Sequence, residues 1–271
     1  MQRRILIIDD HDDLATATEE VFTNLGHIVD LVDNREDALR IDNIGDYDLV
    51  ITDLDVGRPA DTLANNGSHP VCLPKVELNE NSGHVKAFKI SATNYRREGF
   101  NEEELRDLVA MVLDYKIRFV DKADLVQDLH ENIEFELPSA ISLMHIVLEY
   151  LLKRVEKLGV VKSEQSNLFV ALDEAFVNAV KHGNKYDAAK LIRVTAEVSK
   201  EEARFTIEDE GEGFDVHSIP DPLDPENLFK TSGRGVLFIY NIMDEVKNNE
   251  RGNRLTMIKK SDANDLRKEP A

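Results

Sequence analysis

Apolar runs separated by amphipathic stretches give the first half of the chain an alternating rhythm of strands and helices. Residues 5–8 (ILII) are continuously apolar, the pattern of a parallel strand buried on both faces. Residues 12–25 read as a helix closed by Gly26, 27–33 as a second strand, 35–44 as a second helix and 48–52 as a third strand. This is the βαβ rhythm of a parallel sheet. Residues 57–83 hold Pro59, Pro70 and Pro74 and carry no helical stripe, which predicts a long loop. Residues 85–90 predict a fourth strand, ending at Ser91. A helix is expected over 101–115, with Asn101 as its cap and Glu104 three residues on. A short fifth strand is expected over 116–120 and a last helix over 123–132.

The second half has a different pattern. Residues 133–137 read as a strand, Pro138 and Ser139 as a turn, and 142–157 as a helix. The stretch 168–184 (LFVALDEAFVNAVKHGN) carries one apolar stripe at helical spacing. Strands are expected over 191–198 and 203–208, joined as a hairpin. Residues 217–232 are polar, contain Pro220, Pro222 and Pro225, and read as a mobile lid. A helix over 234–243 and a strand over 254–259 close the pattern. The chain of 271 residues is long enough for two domains, expected at 1–132 and 133–261, with a charged tail at 262–271. No Gly/Ser linker separates them, which predicts domains that touch.

Charge narrows the classes of partner. The chain has 53 acidic and 33 basic residues, a formal net charge of −20, and no local basic patch. Such a surface repels nucleic acid and anionic membrane, so direct binding to either is not expected. No apolar run approaches the roughly 18 residues of a spanning helix. The N-terminus reads as a first strand and not as a signal peptide. Cys72 is the single cysteine, consistent with a reducing, cytoplasmic setting.

Two groups of residues carry candidate chemistry. Asp9 and Asp10 end the first strand and Asp53 ends the third, where open α/β sheets bind ligands. Three converging carboxylates repel one another and favour a cation, and oxygen-only ligands suit Mg²⁺. In the second half, Glu174 and Asn178 lie four apart and share a helix face. Asp209 ends an apolar strand, with Gly211 and Gly213 at alternate positions after it. Gly233 and Gly235 precede an apolar helix, placing backbone N–H groups where phosphates bind.

On these residues the second half resembles the GHKL-type ATP-binding domain shared by gyrases and histidine kinases, an α/β two-layer sandwich. Within it the closest likeness is to the serine kinases that act as anti-sigma factors. The matching motifs are Glu174-x-x-x-Asn178 with His182 and Gly183, Asp209-x-Gly211-x-Gly213, and Gly233-Arg234-Gly235. The resemblance implies that ATP and Mg²⁺ are bound. Glu174 would be the general base, and Asn178 would hold the metal. Asp209 would take the adenine amino group. Lys181, His182, Arg234 and the glycines would lie about the nucleotide, and Asn253 and Thr256 would flank the adenine pocket. It also implies a serine acceptor on an anti-anti-sigma-like partner, and binding of a sigma factor.

The first half resembles the doubly wound, flavodoxin-like receiver domain of bacterial response regulators. That likeness implies Asp9 and Asp10 as a metal pair, Asp53 as phosphoacceptor, Ser91 as the switch hydroxyl and Lys122 as the switch lysine, with Lys116 as fallback. It implies an upstream histidine kinase or phosphotransfer protein, and both likenesses imply a homodimer. The whole reads as a receiver-regulated protein serine/threonine kinase. Two alternatives stand beside it: a histidine-kinase-like phosphorelay protein, and a non-catalytic ATP-binding module that sequesters a partner. His145 reads as a packing or surface residue, because no dimerising helical hairpin accompanies it.

Overall fold

The protein is described from a computed structural model that covers residues 1–11, 13–56, 84–95, 101–121, 129–161, 167–213 and 234–261. It divides into two compact units, Met1–Leu137 and Pro138–Ala271, a boundary five residues beyond the expected 132/133.

In the first unit β1 (Arg4–Asp9) lies between β2 (Ile28–Val32) and β3 (Leu49–Asp55), parallel to both. Ile5, Leu6, Ile7 and Ile8 are fully buried, as a two-sided parallel strand requires. Helix α1 (Ala15–Asn24) is shorter than its expected span, and α2 (Arg35–Ala38) is a single turn capped by Asn34, whose side chain accepts from the Asp37 N–H. Strand β4 (His84–Ser91) follows residues outside the described set, which include the expected loop. It runs antiparallel to β3, pairing Asp55 with Lys86 and Val50 with Ser91. The doubly wound, all-parallel sheet is therefore corrected to a mixed one. The order is β2-β1-β3-β4-β5, and β5 (Leu129–Pro138) is parallel to β4.

Two further expectations change in this unit. Helix α3 (Glu102–Tyr115) is capped by Asn101 as expected, with the Glu104 N–H donating to Asn101 Oδ1 at 3.2 Å. Lys116–Val120 is not a strand but a π-helical turn continuing α3. The buried stripe Leu105, Leu108, Val109, Val112 and Leu113 runs on into Lys116 and Val120, and that helical burial overrides the strand propensity of Ile117, Phe119 and Val120. Residues 129–132, expected in a helix, belong to β5. Its segment 133–137, expected to open the second domain, continues the pairing with β4, Phe88 opposite Ile133.

The second unit contains α4 (Ile141–Lys157), α5 (Leu168–Asn178), β6 (Leu191–Val198), β7 (Glu202–Asp209), α6 (Arg234–Ile242), β8 (Glu245–Asn248) and β9 (Arg254–Lys260). Strands order as β6-β7-β9-β8, every neighbouring pair antiparallel. Along β7, Ala203, Phe205, Ile207 and Asp209 are buried and their alternates half-buried, so one face of the sheet is covered. Helix α5 packs on α4 and α6 and buries Leu168, Ala171, Leu172, Ala175 and Phe176. Its last stretch, Ala179–Gly183, loosens into a π-helical turn. Strand β8 is an addition to the expected elements, and the proposed lid lies outside the described residues. Among the described residues no helix is long and apolar enough to cross a membrane.

Candidate active site

The second unit contains a cleft of about 440 Å³. One wall is α5 and its π-helical turn, which contribute Glu174, Ala175, Asn178, Ala179, His182 and Gly183. The floor is Ile207, Asp209 and Gly213 from β7 and the turn after it. Gly235, Val236, Ile239 and Tyr240 of α6 line the opposite side. Val246, Asn248 and residues Gly252, Asn253, Arg254 and Leu255 close the end. Polar and charged side chains share the lining with a larger apolar surface, a make-up suited to a small polar molecule.

Three sequence motifs far apart in the chain meet here. Helical spacing places Glu174 and Asn178 one turn apart on the same wall. Gly235 approaches so closely that a Cβ there would collide with Glu174 Oε2. At the other end Asp209 is held from several directions. Its N–H donates to the Asn253 carbonyl at 3.0 Å, its carbonyl accepts from Asn253 Nδ2 at 2.8 Å, and its Oδ1 accepts from the Gly211 N–H at 2.8 Å. Burial pushes its carboxyl above the ordinary range, against the opposing Gly211 N–H. Gly213 has φ +79°, and a Cβ there would meet the Arg251 carbonyl.

Not every expected residue lines this cleft. Gly211 is buried behind Asp209. Lys181 is exposed and outside the lining. Thr256 faces the other side of β9. It pairs with Thr206, hydroxyl to hydroxyl at 3.3 Å, while the next pair, Ile207 and Leu255, faces the cleft. The register is thus one residue off for Thr256, and period-two alternation moves it to the opposite face. Gly233 and the Arg234 side chain lie outside the described residues. Asn184 and the apolar residues of α6 and β8 carry no local motif that would single them out. His145 is half-exposed on α4, with Nε2 3.3 Å from Asp173 Oδ1, in keeping with a surface role.

In the first unit, Asp9 and Asp53 are paired across β1 and β3. The Asp9 carboxylate is occupied by backbone: His11 N–H donates to Oδ1 at 3.0 Å, and Leu14 and Ala15 N–H donate to Oδ2 at 2.8 and 2.9 Å. It thus ties the end of β1 to the backbone that leads into α1. Asp10 accepts from the Asp55 N–H at 2.9 Å and lies beside His11, whose Nε2 is 2.7 Å from Asp55 Oδ2. Burial raises the Asp10 pKa. The same effect opposes protonation of His11, but Asp55 and Asp10 outweigh it and raise the imidazole pKa. Asp53 is buried, and Lys116 Nζ stands 2.5 Å from its Oδ2 and 3.1 Å from Asp121 Oδ1. Asp9, Asp10 and Asp53 therefore do not fit the expected Mg²⁺ site. Among the described residues no three His, Cys, Asp or Glu side chains are arranged to hold a metal. Lys116 takes the place expected of Lys122, which lies outside the described residues. Ser91 is not brought to Asp53, because antiparallel β4 sets it opposite Val50, where it donates to Glu136 Oε2 at 3.0 Å.

Comparison with known proteins bears on the second unit. Residues 137–259 match the family model of the histidine kinase-like ATPase domain. Over 145 residues, 49% of this chain and 89% of the relative, the sequence is 29% identical to the serine-protein kinase RsbW of Staphylococcus epidermidis. Over 131 residues, 45% of this chain and 80% of the relative, it is 27% identical to the serine-protein kinase RsbW of Staphylococcus aureus (strain Newman).

Proposed function

We propose that this chain is an ATP-dependent protein serine/threonine kinase of the anti-sigma type, regulated through its first unit. The observation that carries the reading is that Glu174 and Asn178 share one wall of the cleft that ends at Asp209. Support comes also from the relatives named as serine-protein kinases. The cleft fits a nucleotide. Gly235 and Gly213 stand so close to Glu174 and to the Arg251 carbonyl that neither position has room for a Cβ, and the buried Asp209 carboxylate offers an acceptor to an adenine amino group. Bound ATP would supply the γ-phosphoryl group, with Mg²⁺ to neutralise its charge. Asn178 would contribute its side-chain oxygen on the metal side, and His182 and Gly235 would border the phosphates. The Glu174 carboxylate would accept the proton of the attacking serine hydroxyl. The acceptor would be a serine of an anti-anti-sigma-like protein, with a sigma factor as a further partner and a homodimer as the working state.

For the first unit, the reading is that Asp53 accepts phosphate from a histidine kinase or phosphotransfer protein. The Lys116 ammonium beside it supports this, as a cation suited to an acylphosphate oxygen. The deciding experiment incubates the full chain with labelled ATP, Mg²⁺ and an anti-anti-sigma-like protein. Label on a partner serine is expected. Label confined to histidine or aspartate of the chain itself points to the phosphorelay alternative, and ATP binding without any transfer points to the sequestering one.

A further inference from the structure

At the end of the π-helical turn, Asn184 has a fully buried side chain whose two polar atoms both serve backbone of the sheet. Its Nδ2 donates to the Leu191 carbonyl at 2.9 Å, at the start of β6, and its Oδ1 accepts from the Glu210 N–H at 2.9 Å, directly after Asp209. The neighbouring backbone is fitted as tightly. A Cβ at Gly183 would collide with the Asp209 carboxylate, and a Cβ at Gly211 would collide with the Gly183 carbonyl. Residues 183–184 and 209–211 therefore form a keyed joint between the helix that carries Glu174 and Asn178 and the strand end that carries Asp209.

From this joint we infer that Asn184 is a positioning residue for purine recognition, one that fixes the direction of the Asp209 carboxylate relative to the Glu174–Asn178 wall. The inference rests on the reading that the cleft takes ATP. A carboxylate held in one direction accepts from the adenine amino group and faces the carbonyl of guanine, which it repels. Discrimination of this kind depends on the polar group having no freedom to turn away. The Glu210 N–H is the nearest backbone group to Asp209 on its C-terminal side, so losing its acceptor removes one of the bonds that hold the Asp209–Gly211 turn and leaves those to Asn253. The Leu191 bond ties down β6 instead and bears on stability.

These two roles separate by substitution. Asn184→Asp keeps an oxygen for Glu210 and loses the donor to Leu191. Asn184→Ala loses both, and Asn184→Ser, too short to span both partners, serves if the alanine variant does not fold. Calorimetric titration of the full chain with Mg-ATP and with Mg-GTP, beside thermal unfolding, reads the result. The wild type is expected to prefer ATP on the order of 10²-fold or more. Asn184→Ala or Asn184→Ser is expected to weaken ATP binding about tenfold and to cut the ATP:GTP preference by a similar factor. Asn184→Asp is expected to unfold at lower temperature while keeping the preference. A preference unchanged in Asn184→Ala or Asn184→Ser, with ATP preferred by the wild type, overturns the inference alone. A wild-type chain that binds neither nucleotide overturns the nucleotide reading and this inference with it.

Discussion

Lys116 Nζ lies 2.5 Å from Asp53 Oδ2 inside the first unit, and both side chains are almost wholly buried. The contact brings the end of α3 onto the middle of β3. Burial still dominates: it pushes the Asp53 carboxyl up to about 6, in spite of the ammonium beside it. Burial disfavours the Lys116 charge too, but Asp53 and Asp121 outweigh it and hold the ammonium above its ordinary range. An unfolded aspartate titrates near about 4. Folding thus takes up a proton at Asp53 between these values. The stability this group contributes is full below the unfolded pKa and is lost as pH rises through about 6. Calorimetric unfolding between about pH 4.5 and about pH 7 should show a steeper loss of stability in the wild type than in Asp53→Asn. Parallel curves would count against a raised Asp53 pKa.

Removing the lysine tests the same group from the other side. Lys116→Met keeps most of the stem volume and leaves Asp53 and Asp121 without their shared cation. Breaking a buried ion pair from one side costs about 3–5 kcal/mol. Urea unfolding followed by circular dichroism should show a loss of that order at neutral pH. Adding Asp53→Asn to Lys116→Met should recover part of it. A single variant as stable as the wild type would mean that the pair carries little of the first unit's stability.

The phosphoacceptor reading has its own measurement. After treatment with acetyl phosphate, the intact mass of the wild type should rise by about 80 Da, one phosphoryl group, and that of Asp53→Ala should not. An equal rise in both proteins places the modification elsewhere.

Much of the second unit was legible in the sequence, because its signals are local. The single apolar stripe over 168–184 predicts α5. Glu174 and Asn178 share a face by helical spacing alone, and the Asp209 and Gly235 motifs each stand at an element end. Asn101 announces the start of α3 in the same way. What escaped depends on contacts remote in the chain. The direction of β4 shows only in its pairing with β3 and β5, and no periodicity within β4 encodes it. Reversing that strand is enough to carry Ser91 away from Asp53. Lys116–Val120 reads as a strand by propensity and folds as a helix because its buried positions continue the stripe of α3. Thr256 follows Leu255 of the cleft wall by one residue, and that single step sets its side chain on the other face. Asn184 carries no local signal, since its value appears only when Leu191 and Glu210 arrive around it.

The approach of Gly235 to Glu174 predicts a loss of function from one methyl group. In Gly235→Ala the new Cβ would collide with Glu174 Oε2, so the carboxylate must turn away. The fold should survive, because the far end of the Glu174 side chain can move. Transfer to a partner serine should fall about 10²-fold or more, as expected when a general base is displaced. The check is the transfer rate at saturating ATP, with thermal unfolding as control. A variant with wild-type turnover would show that Glu174 acts from another position.

Glu174→Gln is the sharpest test of the catalytic assignment. It preserves size and most hydrogen bonding, and it removes the carboxylate proposed to accept the serine proton. ATP binding should persist, since Asp209 and the apolar walls of the cleft are untouched. Transfer should fall by about 10²–10⁴-fold, the range for lost general-base assistance. Asn178→Asp should behave differently. It places a second carboxylate one turn from Glu174 and changes the ligand offered to the metal, so binding and turnover should both shift. The pair of results separates a proton-accepting role from a metal-holding one. Measured with labelled ATP and a partner protein, wild-type transfer by Glu174→Gln would remove Glu174 as the base. Equal losses of ATP binding in both variants would instead assign the two residues to nucleotide binding alone.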